Sequence, residues 1–205
     1  MTRRFVLASA SPARLATLRS AGLDPEVIVS HVDESTVSNE SPAALAEELA
    51  TLKASAVVRQ VDGDALVVGC DSVLELDGAI HGKPHDAREA ISRWQAMRGR
   101  SGVLHTGHCL VDTGTGRRVL RSAGTTVHFA TLSDAEIEAY VATGEPLGVA
   151  GAFTLDGLGG AFVTSIEGDP HNVVGISLPL LRTMLAELGV TWTDLWTTPT
   201  LVRQP

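Results

Sequence analysis

Several residue types are scarce in this chain, and each shortage excludes a class of protein. Only two cysteines, Cys70 and Cys109, occur in 205 residues. They are too few and too far apart for a disulfide framework or a zinc knuckle, so a reducing, cytoplasmic compartment is expected. Acidic residues outnumber basic ones, and the net charge is −8. Such a chain is poorly suited to binding DNA or RNA without sequence preference, although a nucleotide needs only a few clustered cations and a metal.

Long apolar runs and the common nucleotide-binding signatures are also absent. No run reaches the roughly eighteen apolar residues of a membrane span, and the apolar stretch that begins at Phe5 is too short for a signal peptide. Gly82-Lys83 is not a P-loop, because the first glycine and the Ser or Thr after the lysine are missing. We therefore expect no membrane partner and no P-loop chemistry.

The patterns that are present predict a single α/β unit with a mixed sheet over residues 1–205, with room for two lobes around a cleft. Aromatic residues make up only 4% of the chain, so aliphatic side chains must fill most of the interior. Strands are expected at residues 5–8, 26–30, 65–69, 73–76, 103–112, 119–131 and 161–167. Helices are expected after the caps Ser11, Ser41, Asp86 and Ser133, and over residues 173–188.

The first candidate site is the segment between the first strand and the first helix. A helix N-terminus offers free N–H groups and the positive end of the helix dipole to an anion. Ser9 and Ser11 add hydroxyl groups, and Arg14 adds a fork of donors suited to phosphate oxygens. The alternative is an ordinary serine-capped helix without a ligand.

The second candidate site is acidic. Asp71 follows the apolar run 65–69, so we expect it beyond the carboxyl end of a central strand, where α/β sheets bind ligands. Asp33 and Glu34 lie in the polar loop after the second strand, in an equivalent place. Hard divalent cations such as Mg²⁺ bind one or two carboxylates together with substrate phosphates. The alternatives are a turn or cap role for Asp71 and a solvated loop for Asp33 and Glu34.

Two lysines complete the set of candidate residues. Lys83 lies between Gly82 and Pro84, on a stiff loop. Lys53 lies in the second predicted helix, where its position alone favours an exposed surface charge. Either ammonium group could offset the charge of a phosphate.

In this order, the motifs resemble those of the Maf family of nucleotide pyrophosphatases, in an actinobacterial-looking branch. The resemblance runs from about Phe5 to Leu188. The matching segments are Leu7-Ala-Ser-Ala-Ser-Pro-Ala-Arg14, Val32-Asp-Glu34, Leu52-Lys-Ala54, Gly69-Cys-Asp-Ser-Val73, Gly82-Lys-Pro84, Met97-Arg-Gly-Arg100, Tyr140-Val-x-x-Gly144-Glu-Pro146, Ala150-Gly-Ala-Phe153, Gly157-Leu-Gly-Gly160 and Asn172-Val-Val-Gly175.

The resemblance implies an elongated, mixed-sheet α/β fold of two lobes around a central cleft, as in the Maf and inosine-triphosphatase-like proteins. It also implies cleavage of the α–β phosphoanhydride of a nucleoside triphosphate with the help of Mg²⁺ or Mn²⁺. Catalysis would fall to Asp71, Lys53 and Lys83, and the metal to Glu34 and Asp71. The substrate would be bound by Ser9, Ser11, Arg14, Ser72 and Asp156.

Two departures from the family pattern concern a phosphate contact and the choice of base, in that order. Ala13 replaces the first arginine of a pair, and Asp156 stands where the branch acting on dTTP and UTP carries Gln. The segment 168–172 looks more like the branch acting on 7-methyl-GTP. The sequence therefore does not determine which base is preferred, and it leaves both a monomer and a homodimer open. The rival function is a non-catalytic nucleotide- or nucleic-acid-binding regulator of cell division.

Overall fold

The computed structural model describes residues 3–197, so residues 1–2 and 198–205 of the predicted 1–205 domain lie outside the described part. It is a mixed α/β fold built on a seven-stranded sheet in the order β2-β1-β3-β5-β6-β7, with β4 paired to β3. The strands are β1 Arg4–Leu7, β2 Glu26–Val27, β3 Ala65–Leu76, β4 Ala79–His81, β5 Ser101–Asp112, β6 Arg118–Phe129 and β7 Val163–Glu167. The helices are α1 Pro12–Ser20, α2 Pro42–Val58, α3 Ala87–Met97, α4 Asp134–Ala142, α5 Pro170–Val174 and α6 Leu178–Glu187. The predicted fold class is confirmed.

Strand β3 organises the sheet because it has different neighbours along its two edges. One edge pairs antiparallel with β5 from Leu66 to Glu75. The other edge pairs first with β1, in parallel, up to Val68, and then with β4, antiparallel, from Leu74. Residues 69–73 of β3 therefore have no strand beside them on that edge. The cleft opens at this gap.

The gap corrects the predicted position of Asp71. The sequence suggests that the strand ends at Gly69, but β3 continues unbroken to Leu76, and Asp71 lies in its middle. What ends near this point is β1, whose last paired residue is Leu7. Asp71 thus lies beyond the carboxyl end of the parallel neighbour, not of its own strand.

Two hydrophobic cores lie along the long strands, on either side of this middle region. The first contains Leu66 and Val68 of β3 together with side chains of α1 and α6. The second contains Leu74 and Leu76 of β3 with side chains of α3 and α4. The aromatic side chains concentrate in the second core, where Trp94 makes edge-to-face contacts with the rings of Phe129, Tyr140 and Phe162. These are the two largest of the four hydrophobic clusters in residues 3–197, and the two smaller ones lie between the sheet and α2.

Helix α2 packs unusually close to the sheet, and two glycines make this possible. A Cβ atom on Gly69 of β3 would lie 2.5 Å from the carbonyl oxygen of Ala50, and one on Gly107 of β5 would collide with the backbone at Ala46. A side chain at either strand position would push the helix away. The close approach brings Lys53, on the same helix, to the middle of β3.

Local sequence signals account for the helix starts. Each predicted cap side chain accepts a backbone N–H of the first turn, as shown for Ser11, Ser41, Asp86 and Ser133. The single helix expected over residues 173–188, with a distortion at Gly175 and Pro179, is two helices, and the break falls at Gly175. Gly175 has a left-handed φ of 115° and ends α5, and Ser177 caps α6. None of the helices in residues 3–197 is long and apolar enough to cross a membrane.

Candidate active site

A cleft of about 420 Å³ lies at the gap beside β3. Its walls come from the β1–α1 loop, the loop after β2, helix α2, the middle of β3 and the glycine-rich segment near residues 148–156. All nine site residues expected from the sequence line it: Ser9, Ser11, Arg14, Glu34, Lys53, Asp71, Ser72, Lys83 and Asp156. Asp33 is not among the lining residues, because its side chain turns back to cap residues 34–36. The structure therefore gathers the candidates without deciding the role of each.

The two serines at the start of α1 have hydroxyl protons available to a ligand. Ser9 Oγ accepts the N–H of Ser11 at 3.1 Å and an N–H of Arg14 at 3.2 Å. Ser11 Oγ accepts the backbone N–H of Arg14 at 3.3 Å. Neither hydroxyl donates to an acceptor within residues 3–197, so both can donate to an anion at the helix N-terminus.

Arg14 has a different environment from the one its sequence position suggests. Its side chain is buried and donates to the carbonyl oxygens of Gly175 at 2.7 Å and Cys70 at 2.9 Å, and to the hydroxyls of Ser9 and Ser72 at 3.2 Å each. A guanidinium has five N–H groups, so one is left for a ligand. In this state Arg14 mainly serves to link the β1–α1 loop, β3 and the end of α5 through hydrogen bonds.

The hydroxyl of Ser72 is also committed to the protein. Thr106 Oγ1 donates to the carbonyl of Asn172 at 3.0 Å, and it lies 2.9 Å from Ser72 Oγ. Because a hydroxyl has one proton, Ser72 must donate to Thr106 while it accepts from Arg14. Ser72 faces the cleft but has no proton left for a phosphate oxygen.

The charged centre of the cleft is a three-residue cluster of Lys53, Asp71 and Glu34. Lys53 Nζ contacts Asp71 Oδ1 directly and lies 2.8 Å from Glu34 Oε1. Lys53 is 8% and Asp71 9% exposed, whereas the Glu34 side chain is 45% exposed. The interpretation of Lys53 as a surface charge is therefore wrong, because the close packing of α2 directs it inward. Burial in a low-dielectric setting makes this pairing strong and its disruption costly.

The same cluster fits a divalent cation bound partly by substrate. Two carboxylates, of Glu34 and Asp71, contact the Lys53 ammonium, and Mg²⁺ commonly takes one or two carboxylates from a protein when phosphates complete its shell. No group of three or more His, Cys, Asp or Glu side chains that could hold a metal occurs in the described part of the chain. The donor set therefore suits a metal that arrives with a nucleotide better than a permanently caged one.

Lys83 lines the same cleft, on the loop between β4 and α3. It is exposed and makes no ion pair with any residue in the described range. A second cavity, of about 640 Å³, adjoins the cleft and shares Glu34, Asp71, Ser72 and Lys83 with it. Lys83 is thus placed where a free ammonium group can meet an anion entering from either side.

Comparisons with known proteins agree with the family that the motifs indicate. A model of the Maf-like protein family matches residues 4–188. The chain belongs to the Maf family. It is 63% identical over 197 residues to a nucleoside triphosphate pyrophosphatase of Salinispora tropica, covering 94% of this chain and 87% of that protein. It is 60% identical over 196 residues to the one of Streptomyces coelicolor, covering 95% of each.

A more distant likeness comes from a solved structure. It is the structure of a nucleoside-triphosphatase, dITP/XTP pyrophosphatase, from Mycobacterium abscessus, with 18% identity and a TM-score of 0.40. It covers 63% of this chain and 75% of that one. The assignment to the Maf family does not depend on it.

The Maf motif around Glu145 has a structural role that the sequence did not reveal. Its carboxylate accepts the Tyr140 hydroxyl at 3.0 Å, the Thr154 hydroxyl at 2.5 Å, and the backbone N–H groups of Leu158 and Gly159 at 3.0 Å each. Burial is the largest single influence on the pKa of Glu145 and raises it. The four hydrogen bonds together outweigh burial, so the pKa lies below its ordinary value. Asp156 lies on the loop held this way and is exposed at the cleft wall. The only sequence signal for this arrangement is an acid next to a glycine-rich segment.

Proposed function

We propose that this Maf-family chain is a nucleoside triphosphate pyrophosphatase, which hydrolyses a nucleoside triphosphate to the monophosphate and diphosphate. The observation that carries the proposal is the buried Lys53–Asp71 pair, which lines one cleft together with the hydroxyls of Ser9 and Ser11 and with Lys83. The names of the relatives from Salinispora and Streptomyces support the same activity.

The residues divide the work of binding. The triphosphate brings about four negative charges. The hydroxyls of Ser9 and Ser11 and the N-terminus of α1 bind phosphate oxygens, and Lys53 and Lys83 offset their charge. Arg14 and Ser72 keep these groups in place through the network that links β1, β3 and α5. Only one N–H of Arg14 reaches the substrate directly.

Asp71 is the proton acceptor of the reaction. Its Oδ1 contacts Lys53, and its Oδ2 makes no hydrogen bond with a residue in the range 3–197. The free oxygen can take a proton from a water molecule that attacks the α-phosphorus, while diphosphate leaves on the opposite side. Lys53 holds the carboxylate in position for this transfer.

Glu34 and Asp71 would hold a divalent cation, Mg²⁺ or Mn²⁺, which when bound supplies positive charge to the phosphates. Glu34 is well suited because its side chain is partly exposed and can turn toward a nucleotide. A cytoplasmic location is part of the proposal, supported by two free cysteines that are both buried, with burial raising the pKa of Cys70 to about 12.

A regulator of cell division without turnover is the competing hypothesis. A protein that only binds a nucleotide gains nothing from a buried carboxylate beside the phosphate site, since that carboxylate repels the ligand and is costly to desolvate. The net charge of −8 also weighs against nucleic acid as the partner.

The test is diphosphate release from a panel of nucleoside triphosphates with Mg²⁺, with Mn²⁺ and with excess chelator. Monophosphate and diphosphate should form in equal amounts, and no inorganic phosphate should appear without an added phosphatase. Tight nucleotide binding without turnover under every metal condition would favour the regulator.

A further inference from the structure

The place where the Lys83 ammonium group can meet a phosphate depends on how firmly its loop is held. The loop runs from the end of β4 at His81 to the start of α3 at Ala87. Within it the Lys83 side chain is exposed, so its own packing does not fix its direction. The position of its ammonium group depends on the backbone on either side.

Helix α3 holds that backbone at two points. Arg93 Nη1 donates to the carbonyl oxygen of Gly82 at 2.5 Å, just before Lys83. Glu89 Oε2 accepts the backbone N–H of His85 at 2.8 Å, two residues after it. Arg93 and Glu89 also pair with each other at 2.5 Å, one helical turn apart. One ion pair therefore holds both sides of the lysine.

The burial of Arg93 shows that this contact is more than a surface bridge. Its side chain is only 4% exposed, and a buried guanidinium is costly unless its donors are used. The Gly82 carbonyl also accepts the N–H of Gly151 at 3.0 Å, so both of its lone pairs are engaged. Gly151 lies next to Val149 and Ala150, which line the cleft. The Lys83 loop is thus tied to α3 and to the cleft wall through one oxygen atom.

We infer that Arg93, oriented by Glu89, is a positioning residue that sets where Lys83 meets the phosphates. The inference rests on the proposed function. Arg93 touches neither Lys53 nor Asp71 through any hydrogen bond or ion pair in residues 3–197. Its hydrogen bond reaches the backbone directly before Lys83, so we expect Lys83 to carry its effect on the reaction.

A double-mutant cycle tests this dependence. Arg93→Met, Lys83→Ala and the double variant are compared in steady-state diphosphate release. Arg93→Met should lower kcat/KM by roughly 10–100-fold, the scale expected when a charged group is misplaced by about an ångström. In the Lys83→Ala background the same change should cost no more than about twofold, because the residue that it positions is gone. Losses that multiply would overturn the inference.

Two further variants separate positioning from folding. Arg98 lies at the end of the same helix, but it donates to Asp134 and to the carbonyl oxygen of Leu132 and not to the Lys83 loop. Arg98→Met should therefore leave kcat/KM at the wild-type value. Glu89→Gln alters the partly exposed partner, and its smaller loss should also vanish in the Lys83→Ala background. If Arg93→Met does not fold, the cycle of Glu89 with Lys83 decides in the same way. Wild-type activity in Glu89→Gln and Arg93→Met would refute the inference.

Titration with inorganic diphosphate tests the positioning role of Arg93 independently of turnover. If the wild type shows no turnover, the proposed function fails, but binding of diphosphate can still be measured by calorimetry. Arg93→Met and Lys83→Ala should then weaken that binding to a similar extent. Unchanged binding in Arg93→Met, together with weakened binding in Lys83→Ala, would overturn the positioning role alone.

Discussion

Acidification should destabilise this protein through one histidine, His108. Its ring is fully buried in β5, 0% exposed. Its Nε2 accepts the backbone N–H of Ser177 at 2.9 Å, so the proton must lie on Nδ1, which is 3.0 Å from the carbonyl of Thr106. A second proton would place Nε2–H against the N–H of Ser177. Burial, with a smaller contribution from Arg14, lowers the pKa of His108 to about 4.

The size and direction of the effect follow from linkage. A free histidine titrates near pH 6.5 in the unfolded chain, so the unfolded state binds this proton more readily than the folded state. The contribution of His108 to stability is fully present above about pH 6.5. It decreases as the pH falls and changes no further below about pH 4. The whole difference of about 2.5 pH units corresponds to about 3 kcal/mol of unfolding free energy, and about 2 kcal/mol of it is lost by pH 5.

Urea denaturation of the wild type and of His108→Gln, at pH 7.5 and pH 5, measures this quantity. Glutamine keeps an acceptor for Ser177 but does not titrate, so the wild type should lose about 2 kcal/mol more than the variant between the two pH values. His85→Gln, on an exposed loop, controls for the loss of an imidazole as such. Equal losses in wild type and His108→Gln would refute the assignment of acid sensitivity to this ring.

The remaining predictions concern the cleft. Asp71→Asn should keep the fold, checked by circular dichroism, and lower kcat by roughly 10²-fold or more, the usual effect of losing a general base; a variant that retains half the wild-type kcat would exclude Asp71 as the proton acceptor. Glu34→Gln should raise the Mg²⁺ concentration for half-maximal activity more than Asp33→Asn does, because Glu34 faces Lys53 whereas Asp33 caps its own turn. Equal shifts in the two variants, or full activity in excess chelator, would remove Glu34 from metal binding. Asp156→Asn should reduce a preference for GTP or a modified guanine nucleotide over UTP and dTTP in kcat/KM, since a carboxylate accepts hydrogen bonds from the N–H groups of guanine; a wild type that shows no base preference would contradict this.

Much of the fold could be predicted because its determinants are local. Ser11 with Pro12 predicts the start of α1, and Asp77-Gly78 predicts the β3–β4 turn, where both residues have positive φ. These signals need no knowledge of the rest of the chain. The family assignment was also predicted from ordered motifs and is confirmed by the family match.

What could not be predicted depends on partners distant in sequence. Asp71 lies within β3 because β5 pairs along the whole strand, and no local pattern reveals that neighbour. Lys53 is buried because a distant strand allows its helix to approach closely. Arg14 is turned inward by the carbonyls of Cys70 and Gly175, which are 56 and 161 residues away. The roles of the cleft residues stay predictions, since position alone does not establish chemistry.

The two glycines under α2 have a consequence for how this family can vary. The atoms that a Cβ would meet at Gly69 and Gly107 include main-chain atoms of Ala50 and Ala46, which cannot rotate away as a long side chain can. A mutation there would widen the space between helix and sheet and draw the Lys53 ammonium off Asp71, without altering either residue. Selection on the chemistry is therefore expected to act on Gly69 and Gly107 as strictly as on the aspartate, although neither glycine can touch a nucleotide through a side chain. We therefore expect functional constraint in this chain to extend to positions that matter because they carry no side chain.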